Sequence, residues 1–216
     1  MAREQRRLWI APERLQAASG GVFALSAEES RYLTKVLRFG SGDRFAVVNG
    51  QGSLWSAVLL GRDQARLQQP LEQPLEQMQP AQPPLVLAAA VVKRDFDVVV
   101  RMAVELGVDR LIPLLSERTA VQGQLRPERW RTIAVEAAEQ SERLWLPQID
   151  APLALADLLA DPGCSAAVRL WATTRREQLP PLLEPLQAQP AAAGGAAIAL
   201  ACGDRKSTRL NSSHSS

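Results

Sequence analysis

Apolar and polar positions follow one rhythm up to about residue 68 and another from residue 85 onward. In the first stretch, GVFALS, DRFAVVNG and SLWSAVLLG are short alternating or apolar runs bounded by Gly and Ser, which predicts strands. Asn49-Gly50 and Gln51-Gly52 lie between two of these runs and signal a hairpin. Ser26 is followed three residues later by Glu29, which predicts a capping box opening a short helix over EESRYLTKVLR. Leu33, Val36 and Leu37 are its expected apolar stripe. Residues 1–68 therefore read as a β-barrel-like module with one helix. Residues 69–84 read as a linker, since Pro70, Pro74, Pro80, Pro83 and Pro84 forbid a central strand or a long helix.

From Leu85 the pattern is that of an α/β domain. LVLAAAVV is a continuous apolar run, as in a strand buried on both faces. RDFDVVVRMAVELG follows with Phe96, Val99, Val100, Ala103 and Val104 at helical spacing and Gly107 at its end. VDRLIPLLS predicts a second strand, and PERWRTIAVEAAEQSERL a helix begun by Pro127. PQI leads to a short helix at ADLLA. SAAVRLWAT and AAIALACG predict further strands, with a proline-limited helix at EQLPPLLEPL between them. Strands alternating with helices imply a parallel sheet with crossovers. That sheet is expected over residues 85–203.

Composition supports real cores: 216 residues, 46% hydrophobic and 22% charged. Disordered, collagen-like and disulfide-scaffold classes are excluded. No apolar run is long enough for a membrane helix, and the charged N-terminus lacks a signal-peptide core. Cys164 and Cys202 form neither a disulfide framework nor a metal site, so a reduced, cytoplasmic, metal-free protein is expected. The formal charge of +2 is unevenly spread. Residues 1–66 hold ten basic and six acidic groups, whereas residues 67–203 hold twelve and sixteen. Arg205, Lys206 and Arg209 outweigh Asp204 in the last thirteen residues, which also hold the single histidine, His214. DRKSTRLNSSH, residues 204–214, matches the translation of a common short-read sequencing adapter. Residues 204–216 are therefore expected to be a non-native tail, and the natural chain to continue past Gly203.

Three features carry candidate chemistry. The basic N-terminal half, with Arg6, Arg7, Lys35 and Arg38 in its clusters, suits phosphate contacts, although a solvated surface has the same composition. Lys93 follows a buried strand, where ligand sites of open α/β sheets lie. Glu105 stands at the end of its helix. Glu136, Gln140 and Arg143 recur at spacings of four and three, which places an acid, an amide and a guanidinium on one helix face. That set is either a salt-bridged surface or a polar network for a substrate. Gly203 ends an apolar strand and permits close backbone approach to a ligand. There is no dinucleotide fingerprint, no P-loop and no histidine base apart from His214. This weighs against most hydrolases and suits group transfer from a cofactor.

RRLWI, YLTKVLR and the GD-to-NG hairpin resemble the N-terminal PUA-like domain of the ribosomal RNA small subunit methyltransferase E family. VVKRDFDVVVRMAVELGVDRLIPLLSERTAV and ERWRTIAVEAAEQSERLWLPQI are similar to that family's SPOUT methyltransferase domain. The resemblance implies an α/β protein with an N-terminal PUA-like β-barrel followed by a SPOUT α/β knot domain, the knot being incomplete here. It implies methyl transfer from S-adenosylmethionine to N3 of a uridine in 16S rRNA of the small ribosomal subunit, by a homodimer. Arg6, Arg7, Lys35, Arg38 and Lys93 become the RNA-binding set. Glu105, Glu117, Glu136 and Gln140 match the motif network, Arg143 and Arg118 the charge support for catalysis, and Thr173 and Gly203 the cofactor pocket. Asp204 stands where the family's glycine-rich loop has proline, so the chain as written is expected to bind cofactor poorly and to be inactive. Two alternatives remain: a related enzyme acting on another RNA such as a transfer RNA, and a non-catalytic RNA-binding module.

Overall fold

The computed structural model describes residues 6–92, 95–115, 125–160, 168–172, 181, 184 and 198–202. The chain forms two compact units, Met1–Pro80 with Val135–Leu146, and Ala81–Ala134 with Pro147–Ser216.

The first unit is built on strands β1 (Arg7–Trp9), β2 (Val22–Ala24), β3 (Arg44–Val48), β4 (Ser53–Leu59), β5 (Gln64–Leu67) and β6 (Glu76–Gln77). They lie in the order β1-β3-β4-β5-β2, with β6 beside β4. β1 is parallel to β3, and the other pairings are antiparallel. One face buries Phe23, Phe45, Ala57, Leu59, Ala65 and Leu67 in a core completed by Ile10, Leu15 and Leu33. The β3–β4 hairpin forms as expected. Asn49 Oδ1 accepts from the amides of Gln51 and Ser53 at 2.8 and 3.1 Å, and Gly50 and Gly52 adopt φ of 70° and 88°.

Two short helices, α1 (Pro12–Gln16) and α2 (Ala27–Arg31), complete this unit's N-terminal part. The Ser26 capping box is present: Glu29 N donates to Ser26 Oγ, and Ser26 N donates to Glu29 Oε2 at 2.7 Å. The expected stripe holds for Leu33 and Leu37 but not for Val36, which is 64% exposed. The reason is a π-helical turn over Tyr32–Val36, closed by the Leu37 amide donating to the Tyr32 carbonyl. An i→i−5 turn takes in an extra residue, so the 3.6 period fails there and Val36 points outward.

The second unit holds β7 (Leu85–Ala90), β8 (Arg110–Leu115), β9 (Gln148–Ile149), β10 (Leu153–Ala154), β11 (Val168–Ala172) and β12 (Ile198–Cys202). Their order is β10-β8-β7-β12-β11, with β9 beside β8, and every pairing is parallel. Helices α3 (Phe96–Glu105), α4 (Pro127–Gln140) and α5 (Leu155–Ala160) lie within the expected segments, with α4 ending at Gln140 before the SERL of its predicted run. α3 buries Phe96, Val100, Ala103 and Val104. Gly107 (φ 93°) ends it: the Gly107 amide donates to Val104 O and the Val108 amide to Ala103 O, a Schellman closure.

The observed division departs from the expected boundaries at two places. The Pro/Gln-rich stretch belongs largely to the first unit, because β6 pairs with β4 and Leu71 packs on the core. Its prolines limit it to a two-residue strand. Residues 135–146 also belong to the first unit, because Leu144 is buried among Ala46, Val48, Leu54 and Trp9.

Candidate functional site

Within the first unit, residues 135–146 are held by contacts far apart in sequence. Trp9 N donates to Glu139 Oε1 at 2.7 Å. Arg7 donates to the Glu142 carbonyl and, at 3.0 Å, to Glu142 Oε2. Gly52 N donates to Leu144 O, and Leu146 N donates to Gly50 O, so the hairpin turn and this segment bond to each other. Trp145 Nε1 donates to the Met78 carbonyl at 3.0 Å. Glu139 is half-buried, and its carboxyl is pushed up to about 7. Burial is the main cause, the charges of Glu136 and Glu29 add to it, and the Trp9 amide opposes it.

The expected RNA contacts in this unit divide by accessibility. Arg6, Lys35 and Arg38 are exposed. Arg38 has φ of 58°, a left-handed conformation that costs a non-glycine residue roughly 1–3 kcal/mol. The Arg7 side chain is only 16% exposed and is engaged by Glu142. Arg14 makes a two-pronged pair with Glu29 at 2.6 and 2.8 Å, which raises its pKa further.

The expected alignment of Glu136, Gln140 and Arg143 on one helix face does not form. α4 ends at Gln140, and Glu142 then turns left-handed at φ 58°. Arg143 lies past that turn, half-buried, its amide donating to Ala138 O at 2.9 Å. Glu136 and Gln140 remain exposed on α4. Glu139, which the i, i+4, i+7 spacing passed over, is the member of this motif that takes a buried contact. Its signal was present only as an acid among EAAEQ, indistinguishable there from its neighbours.

In the second unit Glu105 is exposed at the end of α3. The remaining candidates, Lys93, Glu117, Arg118, Thr173 and Gly203, lie outside the described residues. The strands that lead to them are described. Ala172, Cys202, Ala89 and Pro113 occupy one row across β11, β12, β7 and β8. All four strands run the same way, so their carboxyl ends share one edge of the sheet. Ligand sites of open α/β sheets lie outside the carboxyl ends of their strands, which is this edge. In sequence, Lys93 follows the end of β7 by three residues, Glu117 and Arg118 follow β8 by two and three, and Thr173 and Gly203 directly follow β11 and β12.

Among the described residues no group of three His, Cys, Asp or Glu is placed to hold a metal ion, and no helix is long and apolar enough to cross a membrane.

Comparison with known proteins agrees with the division into two kinds of sheet. Residues 25–68 match the family model described as RNA methyltransferase PUA domain, and residues 79–203 match the RNA methyltransferase domain. The chain is 36% identical over 171 residues to the ribosomal RNA small subunit methyltransferase E of Synechocystis, covering 78% of this chain and 55% of that protein. The chain thus spans about half the length of that curated relative. A crystal structure of the Neisseria gonorrhoeae ribosomal RNA small subunit methyltransferase E, bound to S-adenosyl methionine, superposes with a TM-score of 0.70 at 20% identity, over 92% of this chain and 80% of that one. A Legionella pneumophila methyltransferase in complex with the same cofactor gives 0.66 at 20% identity, over 94% and 90%. At these identities the structural likeness concerns the fold.

Proposed function

Because the chain belongs to the family of the RNA methyltransferase domain, we propose that it transfers a methyl group from S-adenosylmethionine to small-subunit ribosomal RNA, at N3 of a uridine in 16S rRNA. The observation that carries this reading is the common carboxyl edge of the parallel strands β7, β8, β11 and β12. Such an edge fits a cofactor of this size, since strand-end loops converge on it from four strands. Thr173 and Gly203, the residues next in sequence after β11 and β12, would hold the cofactor. When bound, S-adenosylmethionine supplies an electrophilic methyl carbon on a sulfonium.

The chain's own residues have two tasks. The first is to hold the uracil ring so that N3 lies in line with the reacting carbon. Arg6, Lys35 and Arg38 on the first unit and Lys93 after β7 supply phosphate contacts for that positioning. The second is to stabilise the charge on uracil as N3 loses its proton. Arg143 and Arg118 are the guanidinium groups assigned here. Glu105, Glu117, Glu136 and Gln140 complete the reading as its polar motif network.

The reading includes a homodimer. α3 and its C-cap expose Val98, Met102 and Leu106 (50%, 52% and 75%) at spacings of four on the side away from the helix's buried residues. An apolar stripe of that kind on a helix already packed on its other face suits a second copy of the chain. A cytoplasmic location follows from the ribosomal substrate.

Primer extension on small-subunit RNA tests the target, since methylation at N3 blocks base pairing and stops reverse transcription. Deletion of the gene should remove one stop, and the full-length gene should restore it. A stop that persists in the deletion strain rejects the assignment. Methyl transfer to transfer RNA alone would point to the other RNA target.

A further inference from the structure

The sheet of the first unit has a second face, opposite its core. At one end that face is covered: Trp9, Ala46, Val48 and Leu54 lie under Leu144. Arg7 and Ala46 pair across β1 and β3, and the Arg7–Glu142 ion pair closes the covered end. Two residues further along the strands the face is open. Arg44 on β3 pairs with Val58 on β4, Val58 with Arg66 on β5, and Arg66 with Val22 on β2. Directly paired residues point to the same side of a sheet, so these four form a single row across four strands.

Arg44 and Arg66 are exposed, and Val58 and Val22 are half-buried. The two arginines stand two strands apart, about 10 Å. Among the described residues Arg7 and Arg14 in this unit have carboxylate partners, whereas Arg44 and Arg66 have none. Asp43, beside Arg44 in sequence, is turned to the Gly40 amide at 2.7 Å. Gln64 continues the row's neighbour, opposite Ala24. No aromatic side chain occupies these positions, so the face offers cations and apolar contact but no stacking platform.

We propose that this open end of the sheet, with Arg44 and Arg66 flanking Val58, is a second phosphate-binding face for RNA, separate from Arg6, Lys35 and Arg38. It rests on the RNA reading given above and adds a surface to it. A rigid strand row suits the task, because it fixes the spacing of two guanidiniums that each fork onto a phosphate. With no stacking groups, its contribution is to affinity and orientation and carries no base specificity.

The test uses the full chain, the double variant Arg44→Ala/Arg66→Ala, and the control Arg129→Ala/Arg131→Ala, which removes the same charge from two arginines already paired on α4. Binding of a fluorescein-labelled fragment of small-subunit ribosomal RNA is followed by anisotropy across a salt series. The Arg44/Arg66 variant should bind about tenfold more weakly at low salt, with the slope of log affinity against log salt reduced by about 1.4. The control should bind like the parent, and Arg44→Lys/Arg66→Lys should recover most of the loss. An Arg44/Arg66 variant with parental affinity and slope overturns the second face while leaving the RNA reading intact. Equal losses in variant and control also overturn it, since net charge alone would then explain them. A parent chain that binds no RNA overturns both.

Discussion

The two units solve the problem of presenting polar groups from a sheet in opposite ways. In the first, the sheet is mostly antiparallel, a tight turn joins β3 to β4, and the exposed Arg44 and Arg66 stand on its open face. In the second, every described pairing is parallel, both neighbours of β7 and β12 are strands, and candidate chemistry falls after the strand ends. An antiparallel sheet can leave one face to solvent, whereas a parallel sheet is covered on both and has only its ends to offer. An antiparallel sheet thus has a face, and a parallel sheet its strand ends, on which to present polar groups.

The comparison is broken most easily at the cores. Phe45 is fully buried on the inner face of the first sheet, and Phe45→Ala should cost about 3–5 kcal/mol in urea unfolding. Ile112 is equally buried in β8, and Ile112→Ala should cost about 2–5 kcal/mol. If Ile112→Ala costs under about 1 kcal/mol, the parallel sheet is not packed as a true core and the contrast fails.

Gly52→Ala addresses the covered end of the first sheet. Gly52 has φ of 88°, and a Cβ there would lie 2.3 Å from the Met78 carbonyl and 2.6 Å from Trp145 Nε1. Neither the backbone oxygen nor the packed indole can move away without loosening residues 144–146. The substitution should cost about 2–3 kcal/mol, and it should weaken the quenching or shift the emission of the tryptophans in this unit. A fully parental stability would mean that the segment is not held on the hairpin.

Glu139 gives the same docked segment a pH signature. Its carboxyl is raised from 4.5 to about 7 in the folded chain, so the folded state holds a proton that the unfolded state releases between those values. Stability from this group is therefore present at low pH and is lost as pH rises through about 7. Glu139→Gln keeps an acceptor for the Trp9 amide and removes the charge. At pH 8 it should stabilise by about 1–2 kcal/mol, below the ceiling of about 3 kcal/mol set by the shift because the group is partly solvated. At pH 4.5 the gain should vanish. Urea midpoints at the two pH values measure it, and an equal effect at both would rule out titration of Glu139.

What could be read from the sequence divides along the range of the contacts. The Ser26–Glu29 box, the Asn49–Gly52 hairpin and the Gly107 closure involve residues within five positions of one another, and each forms as expected. Val36 failed because one π-helical turn breaks the helical period, and nothing in YLTKV announces it. Arg7–Glu142 and Trp9–Glu139 span 135 and 130 positions, so no local pattern distinguished Glu139 from Glu136. The single-face reading of Glu136, Gln140 and Arg143 assumed that the helix continued past Gln140. The strand order that puts β12 between β7 and β11 is likewise invisible to periodicity, although it determines which strand ends stand side by side.

The smallest expected effect sharpens the contrast at helix level. α4 runs for fourteen residues and packs Trp130 against Phe96, with ring centroids 4.8 Å apart, so packing sustains it. α2 has five residues and buries none of them. Its stability must come from its ends: the Ser26 box at the start and the Arg14–Glu29 pair, which anchors the same glutamate from outside. Ser26→Ala removes one of the two reciprocal bonds and should cost about 1 kcal/mol. Since α2 feeds directly into the π-helical turn that positions Lys35 and Arg38, the same change should also lower RNA affinity by a few-fold, whereas a cap substitution at α4 should leave it unchanged. Loss of stability without loss of affinity would show that the turn holds its shape independently of the helix before it.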